Sequence, residues 1–128
     1  SHSLDNVALW MPEDKLLITG DYAFNERLLP ILDDTDVRSW LEIWPQIEAL
    51  GASIVIPGHG DVTDMATVRY FTVDYLEFML SNITRLIDDG DGLMDAYDID
   101  QSQFMQWKTF RELSKLNAEK LFRKMEFE

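Results

Sequence analysis

The sequence predicts an α/β fold: a small mixed sheet with helices on one side, running into a helical carboxyl-terminal region. Three observations predict it. Short apolar, β-branched runs mark the first sixty or so positions. A helix-spaced pattern separates the last two of these runs. Beyond residue 67 the apolar residues recur only at helical spacing. The 128 residues suit one domain with a real core, about 1–66 for strands and crossover helix and 67–128 for a helical tail.

Asn6–Trp10 (NVALW) and Lys15–Thr19 (KLLIT) read as two strands, and Met11-Pro12-Glu13-Asp14 reads as the tight turn of a β-hairpin. Gly20-Asp21 is expected to end the second strand. Residues 22–35 read as an irregular connection. Asp33-Asp34-Thr35-Asp36 supplies N-cap candidates, and Val37, Trp40, Leu41, Trp44 and Ile47 follow at helical spacing. Pro45 is a candidate kink, and Leu50-Gly51 is a stop. Ser53–Ile56 (SIVI) is apolar on both faces and reads as a central strand. Val68, Phe71, Tyr75, Met79, Ile83, Leu86 and Ile87 form one stripe over about five turns. Asp88 to Gly92 stops that helix. A short helix is expected at Leu93–Tyr97 and a last helical region over Gln103–Phe127.

Composition narrows the function. The chain has no cysteine, which excludes disulfides, thiolate zinc sites and a cysteine nucleophile. A net charge of −13 repels a phosphate backbone, so no nucleic-acid partner is expected. No apolar run approaches the ~20 residues of a membrane helix, so a soluble protein without a membrane partner is expected. The compartment stays open. Ser3 and Ser53 have no base beside them, which argues against a serine hydrolase.

The chemistry lies in Gly20-Asp21 and Pro57-Gly58-His59-Gly60. A hairpin turning near Pro12 and Glu13 sets residues whose numbers sum to about 25 opposite each other. This brings His2 near Asp21. The second and third strands flank a helix, and such β-α-β crossovers make the strands parallel. Asp21 and His59 then fall at the carboxyl ends of two strands, where α/β folds place their ligands. Taken singly, a Gly-Asp is a turn and a loop histidine is unremarkable. Taken together, His2, Asp21 and His59 suit zinc, and also iron or manganese. Gly20, Gly58 and Gly60 are expected to allow close backbone approach to an ion or substrate.

This pattern resembles the carboxyl-terminal half of the metallo-β-lactamase fold superfamily. The resemblance is carried by His2-Ser3, Asn6–Trp10, Pro12, Lys15–Asp21 (KLLITGD), Trp40, Trp44 and Ile56–Gly60. It covers about residues 2–60, with a weaker likeness in the later helices, including Asn117–Glu126. It implies half of a four-layer α/β/β/α sandwich. It implies that His2 binds a first metal, that Asp21 bridges two metals or binds the second, and that His59 binds the second. The family's His-x-His-x-Asp-His cluster is absent, and the chain has only two histidines. The resemblance therefore implies a fragment of a longer zinc hydrolase. That enzyme would use a metal-activated hydroxide, oriented by Asp21, on a small-molecule ester, thioester, lactone, amide or phosphoester.

Alone, the 128-residue chain is expected to be inactive, holding no ion or a single weakly bound one at Asp21 and His59. The rival readings are a non-catalytic oligomerisation or binding module and an iron-dependent redox member of the same superfamily. In the family each half packs its sheet on the other. Val7, Leu9, Leu16, Ile18, Ile54 and Ile56 are therefore expected to form an uncovered apolar face, leading to a homodimer or to a complex with the missing amino-terminal half.

Overall fold

Three strands form one sheet in the order β1-β2-β3: β1 is Leu9–Met11, β2 is Leu16–Phe24 and β3 is Ile54–His59. The computed structural model describes residues 8–128. His2 and Val7 therefore lie outside the described residues. β1 and β2 are antiparallel, and β2 and β3 are parallel. The crossover between the parallel strands is α1, Val37–Ala49.

The hairpin pairs Leu9 with Ile18, Trp10 with Leu17 and Met11 with Leu16. These pairs sum to 27, not 25. The connection is four residues long, because Lys15 leaves the strand at φ 49° and its N–H donates to the Pro12 carbonyl at 3.3 Å. The turn thus centres one position later than the sequence reading put it.

α1 starts where its cap chemistry says. The Asp36 carboxylate accepts from the Ser39 N–H at 3.1 Å and from the Ser39 hydroxyl at 2.8 Å. The helix runs through Pro45 without ending. It buries Val37, Trp40, Ile43, Trp44 and Ile47 against the same core as Leu17 and Val55. Trp40, Trp44 and Phe104 are core residues.

The long amphipathic stripe is not one regular helix. α2 (Met65–Arg69) passes through a π-turn (Tyr70–Asp74) into α3 (Tyr75–Asp88). The π-turn buries Thr72 and Val73, while Phe71 is only half-buried. The Phe24 N–H donates to the Thr72 hydroxyl at 2.9 Å across 48 residues, and that contact accompanies the widened turn. α4 is Leu93–Tyr97.

The last helix, α5, is Phe110–Met125, shorter than expected from the apolar spacing. Residues 105–109 interrupt the helical run, and Lys108 and Thr109 among them pair with residues 26–28. The Lys108 N–H donates to the Glu26 carbonyl at 3.2 Å, the Leu28 N–H donates to the Lys108 carbonyl at 2.8 Å, and Thr109 sits at φ 66°. α3 and α5 pack together over a buried polar cluster. Asn117 there donates to the Leu29 carbonyl and accepts from the Ile31 N–H, both at 2.7 Å.

One sheet face meets this helical layer through Leu17, Thr19, Val55 and Pro57. The other face carries two cross-strand rows, Leu9–Ile18–Ile56 and Met11–Leu16–Ile54. Leu9 is 58% exposed and Ile54 43%. Among the described residues no helix is long and apolar enough to cross a membrane.

Candidate metal centre

The expected end of β2 at Gly20-Asp21 is in fact a bulge, and this bulge builds the site. Gly20 pairs with Pro57, and the next paired position is Phe24 with His59. β2 thus spends four steps where β3 spends two. The two surplus residues fall outside the ladder and bend the strand into an arch, as a β-bulge does. Gly20 enters the arch at φ 56°, a left-handed conformation that a side chain disfavours. Asp21 rides on the arch with its side chain 85% exposed. Trp40 pins the arch from α1, its indole N–H donating to the Tyr22 carbonyl at 3.1 Å.

His59 ends β3. Its Nε2 stands 3.4 Å from the Asp21 Oδ1. That is longer than the 2.7–3.2 Å of a good N–H···O hydrogen bond. It matches two donors of one tetrahedral ion, since zinc–ligand bonds of about 2.0–2.2 Å put neighbouring donor atoms roughly 3.3–3.5 Å apart. Both side chains reach solvent, so an ion has access. The pair therefore fits a metal as two of its donors. Among the described residues no group of three or more His, Cys, Asp or Glu side chains comes together. His2 is outside the described residues.

The glycines serve the strand pairing more than an ion. A side chain at Gly58 would run into the Gly20 carbonyl. Gly60, at φ 98°, lies against the Asn25 carbonyl in the same way. Gly20 has open space around it among the described residues, so its requirement is conformational. Gly58 and Gly60 thus let β3 approach β2 closely.

The spacing of sequence motifs missed three supporting residues. Phe24 lies face to face with the His59 ring, centroids 5.1 Å apart and planes 11° apart. Asn25 brackets His59 from both sides. Its N–H donates to the His59 carbonyl at 3.0 Å, and its Nδ2 donates to the Asp61 carbonyl at 3.0 Å. Thr72 holds Phe24 from the π-turn. Only Phe24 and Asn25 left a signal, as polar and aromatic residues close behind Gly20-Asp21. An open cleft of about 300 Å³ adjoins Asp21, with Tyr22, Leu32 and Trp40 as its apolar wall and Asp34 and Asp36 at its rim.

Comparison with known proteins finds partial matches. Residues 1–59 match the model of the metallo-beta-lactamase superfamily. Metallo-beta-lactamase type 2 of Bacteroides fragilis is 31% identical over 64 residues, which is 47% of this chain and 26% of that protein. Beta-lactamase-like protein 2 homolog of Caenorhabditis elegans is 28% identical over 86 residues, 67% of this chain and 28% of that protein. A solved structure of TMB-1 aligns with a TM-score of 0.45 and 24% identity, covering 52% of this chain and 32% of that one. The chain spans about a quarter of the length of the two relatives. Over its first 59 residues, with Asp21 and His59 among them, the chain is similar to the metallo-β-lactamase superfamily.

Proposed function

We propose that this chain is the carboxyl-terminal part of a metal-dependent hydrolase and contributes Asp21 and His59 to its metal centre. The observation that carries the reading is the 3.4 Å separation of Asp21 Oδ1 and His59 Nε2, two exposed donors held on facing strands. His59 supplies a neutral imidazole nitrogen and Asp21 a carboxylate, and zinc accepts both. Iron or manganese accepts the same pair. When bound, such an ion lowers the pKa of water towards neutrality, making hydroxide available at physiological pH. Asp21, with His59, would hold such an ion, and its carboxylate would orient the attacking water. The cleft beside Asp21 receives the acyl or phosphoryl portion of a small substrate.

His2 is a further expected donor, the rest come from upstream polypeptide, and the exposed sheet face is where that polypeptide packs. The face presents six apolar side chains in two rows. Covering one such side chain stabilises by roughly 1.5–3 kcal/mol. The relatives are about four times longer than the stretch matched here, and this supports an upstream sheet over a second copy as the occupant.

The test is zinc content and hydrolysis by the chain joined to its upstream segment, across ester, thioester, lactone, amide and phosphoester substrates. Asp21→Ala and His59→Ala should each lose metal and turnover together. Full metal content and turnover in both variants would refute the reading. Sedimentation decides the partner. The upstream segment should form a one-to-one complex with the chain that Ile54→Lys weakens, whereas a stable homodimer that excludes the segment would make a second copy the occupant.

A further inference from the structure

We propose that Phe24 is a positioning residue for His59, and that Thr72, from the π-turn of the helical tail, locks Phe24 in place. The proposal rests on His59 being a metal ligand. Thr72 lies outside the 1–59 stretch that matches the superfamily, so nothing in that match assigns it a role.

The histidine's backbone and ring are fixed separately. Asn25 fixes the backbone through the His59 and Asp61 carbonyls. That leaves the imidazole free to rotate about its side-chain bonds, as a half-exposed ring does. The Phe24 ring removes this freedom. At 5.1 Å and 11° it is a stacked pair, and it sets the imidazole plane so that Nε2 faces Asp21. Phe24 is itself 4% exposed and lies 6.3 Å from Trp40, so it has little room to turn.

What decides the height of Phe24 is its backbone. The Phe24 N–H leaves the β ladder's surplus arch and donates to the Thr72 hydroxyl at 2.9 Å, a fully buried contact. A regular α-turn would index Thr72 differently along the helix. The π-turn is the local irregularity that delivers its hydroxyl to β2, and single π-turns recur where helices serve functional sites. The tail thus reaches the metal pair through two contacts: Thr72 to Phe24, and Phe24 to His59.

The experiment compares Phe24→Leu, Thr72→Val and Thr72→Ser in the chain and in its upstream-joined form. In the chain, proton and nitrogen NMR of the His59 imidazole reads ring orientation without any metal. Stacking under Phe24 displaces its carbon-bound protons upfield. Phe24→Leu should abolish the displacement, Thr72→Val should reduce it, and Thr72→Ser should restore it. In the joined form, zinc affinity by chelator competition should fall about 10-fold in Thr72→Val and recover in Thr72→Ser, the scale of loss typical of groups behind a ligand. Thermal unfolding identifies variants that remain folded, and Thr72→Ser keeps the test valid where Thr72→Val does not fold. An unshifted imidazole in the wild-type chain overturns the proposal, as does a Thr72→Val whose ring shift and zinc affinity match wild type. A ring shift lost with zinc affinity intact also overturns it. His59→Ala serves as the separate control: intact zinc affinity there sinks the metal assignment itself.

Discussion

Asn117→Leu should be among the most damaging single substitutions in this chain. Asn117 is fully buried and makes three hydrogen bonds. Its Oδ1 accepts from the Ile31 N–H at 2.7 Å, and its Nδ2 donates to the Leu29 carbonyl at 2.7 Å and to the Tyr75 hydroxyl oxygen at 3.1 Å. Leucine fills a similar volume, so the cavity term is small. The loss is polar. Leu29 and Ile31 are 0% and 1% exposed, so their freed backbone groups cannot reach water. Each orphaned group costs about 1–3 kcal/mol, giving roughly 2–6 kcal/mol for the two. That is a large share of the ~5–15 kcal/mol of an ordinary domain. In urea, with a slope near 2 kcal/mol per molar, the midpoint should fall by about 1–3 M with the slope unchanged. Asn82→Ala is the matched control: Asn82 is half-buried and its bonds, to the Phe78 carbonyl and from the exposed Arg85 guanidinium, stay within its own helix, so its cost should stay within about 0.5 kcal/mol. Equal, small losses in both variants would refute the argument that burial sets the cost.

Other predictions follow from the same contacts. Asp36→Ala should cost about 1 kcal/mol as a lost helix cap, measured by urea unfolding. The Ser39 backbone and hydroxyl hold the Asp36 carboxyl below its usual range, so its stabilisation is fully present above the unfolded value near ~4 and is lost as pH falls through the lower folded value; Asp36→Asn should flatten that part of the stability–pH curve. Burial pushes the Tyr75 phenol far up, so its contribution is present below the unfolded value near ~10 and is lost as pH rises through the folded one; in an absorbance titration Tyr75 should ionise only as the chain unfolds. Gly58→Ala should part β2 from β3 at the Gly20 carbonyl and weaken zinc binding in the upstream-joined form more than it lowers the thermal midpoint, whereas unchanged zinc binding would count against tight strand approach as the reason for glycine there.

The crossover architecture was legible because its signals are local. The β-branched run at Ile54–Ile56, the cap at Asp36 and the glycine at 51 each act within a few residues. The adjacency of Asp21 and His59 followed from the parallel crossover alone. The hairpin register was displaced because the left-handed Lys15 lengthens the loop, and lysine gives no sign of that conformation. The bulge at Gly20–Phe24 was hidden for a different reason. Gly-Asp after an apolar run is compatible with a strand end, and only pairing with β3 keeps the chain extended to Phe24. The π-turn and the broken start of α5 were beyond local reading altogether. Both are accompanied by hydrogen bonds to residues 24–28, between 48 and about 80 positions away.

Those distant bonds have a consequence for synthesis. The segment that follows β2 bonds largely to the last helical region. Leu28 bonds to Lys108 and Thr109, Leu29 and Ile31 to Asn117, and Asp33 to Lys120 and Lys124. A nascent chain that has emerged only as far as residue 105 holds both parallel strands and the crossover helix, yet lacks the hydrogen-bond partners that Leu28, Leu29, Ile31 and Asp33 find in residues 108–124. The 28–33 stretch should stay open to protease in ribosome-stalled chains of this length and become protected once residue 124 is released. Protection in the shorter chain would show that the strands order it unaided. Domains ordinarily build from the amino terminus forward during translation. Here residues 28–33 wait on residues 108–124 for their bonds, so a chain cut short between the two keeps Asp21 and His59 but lacks the partners of Leu28, Leu29, Ile31 and Asp33.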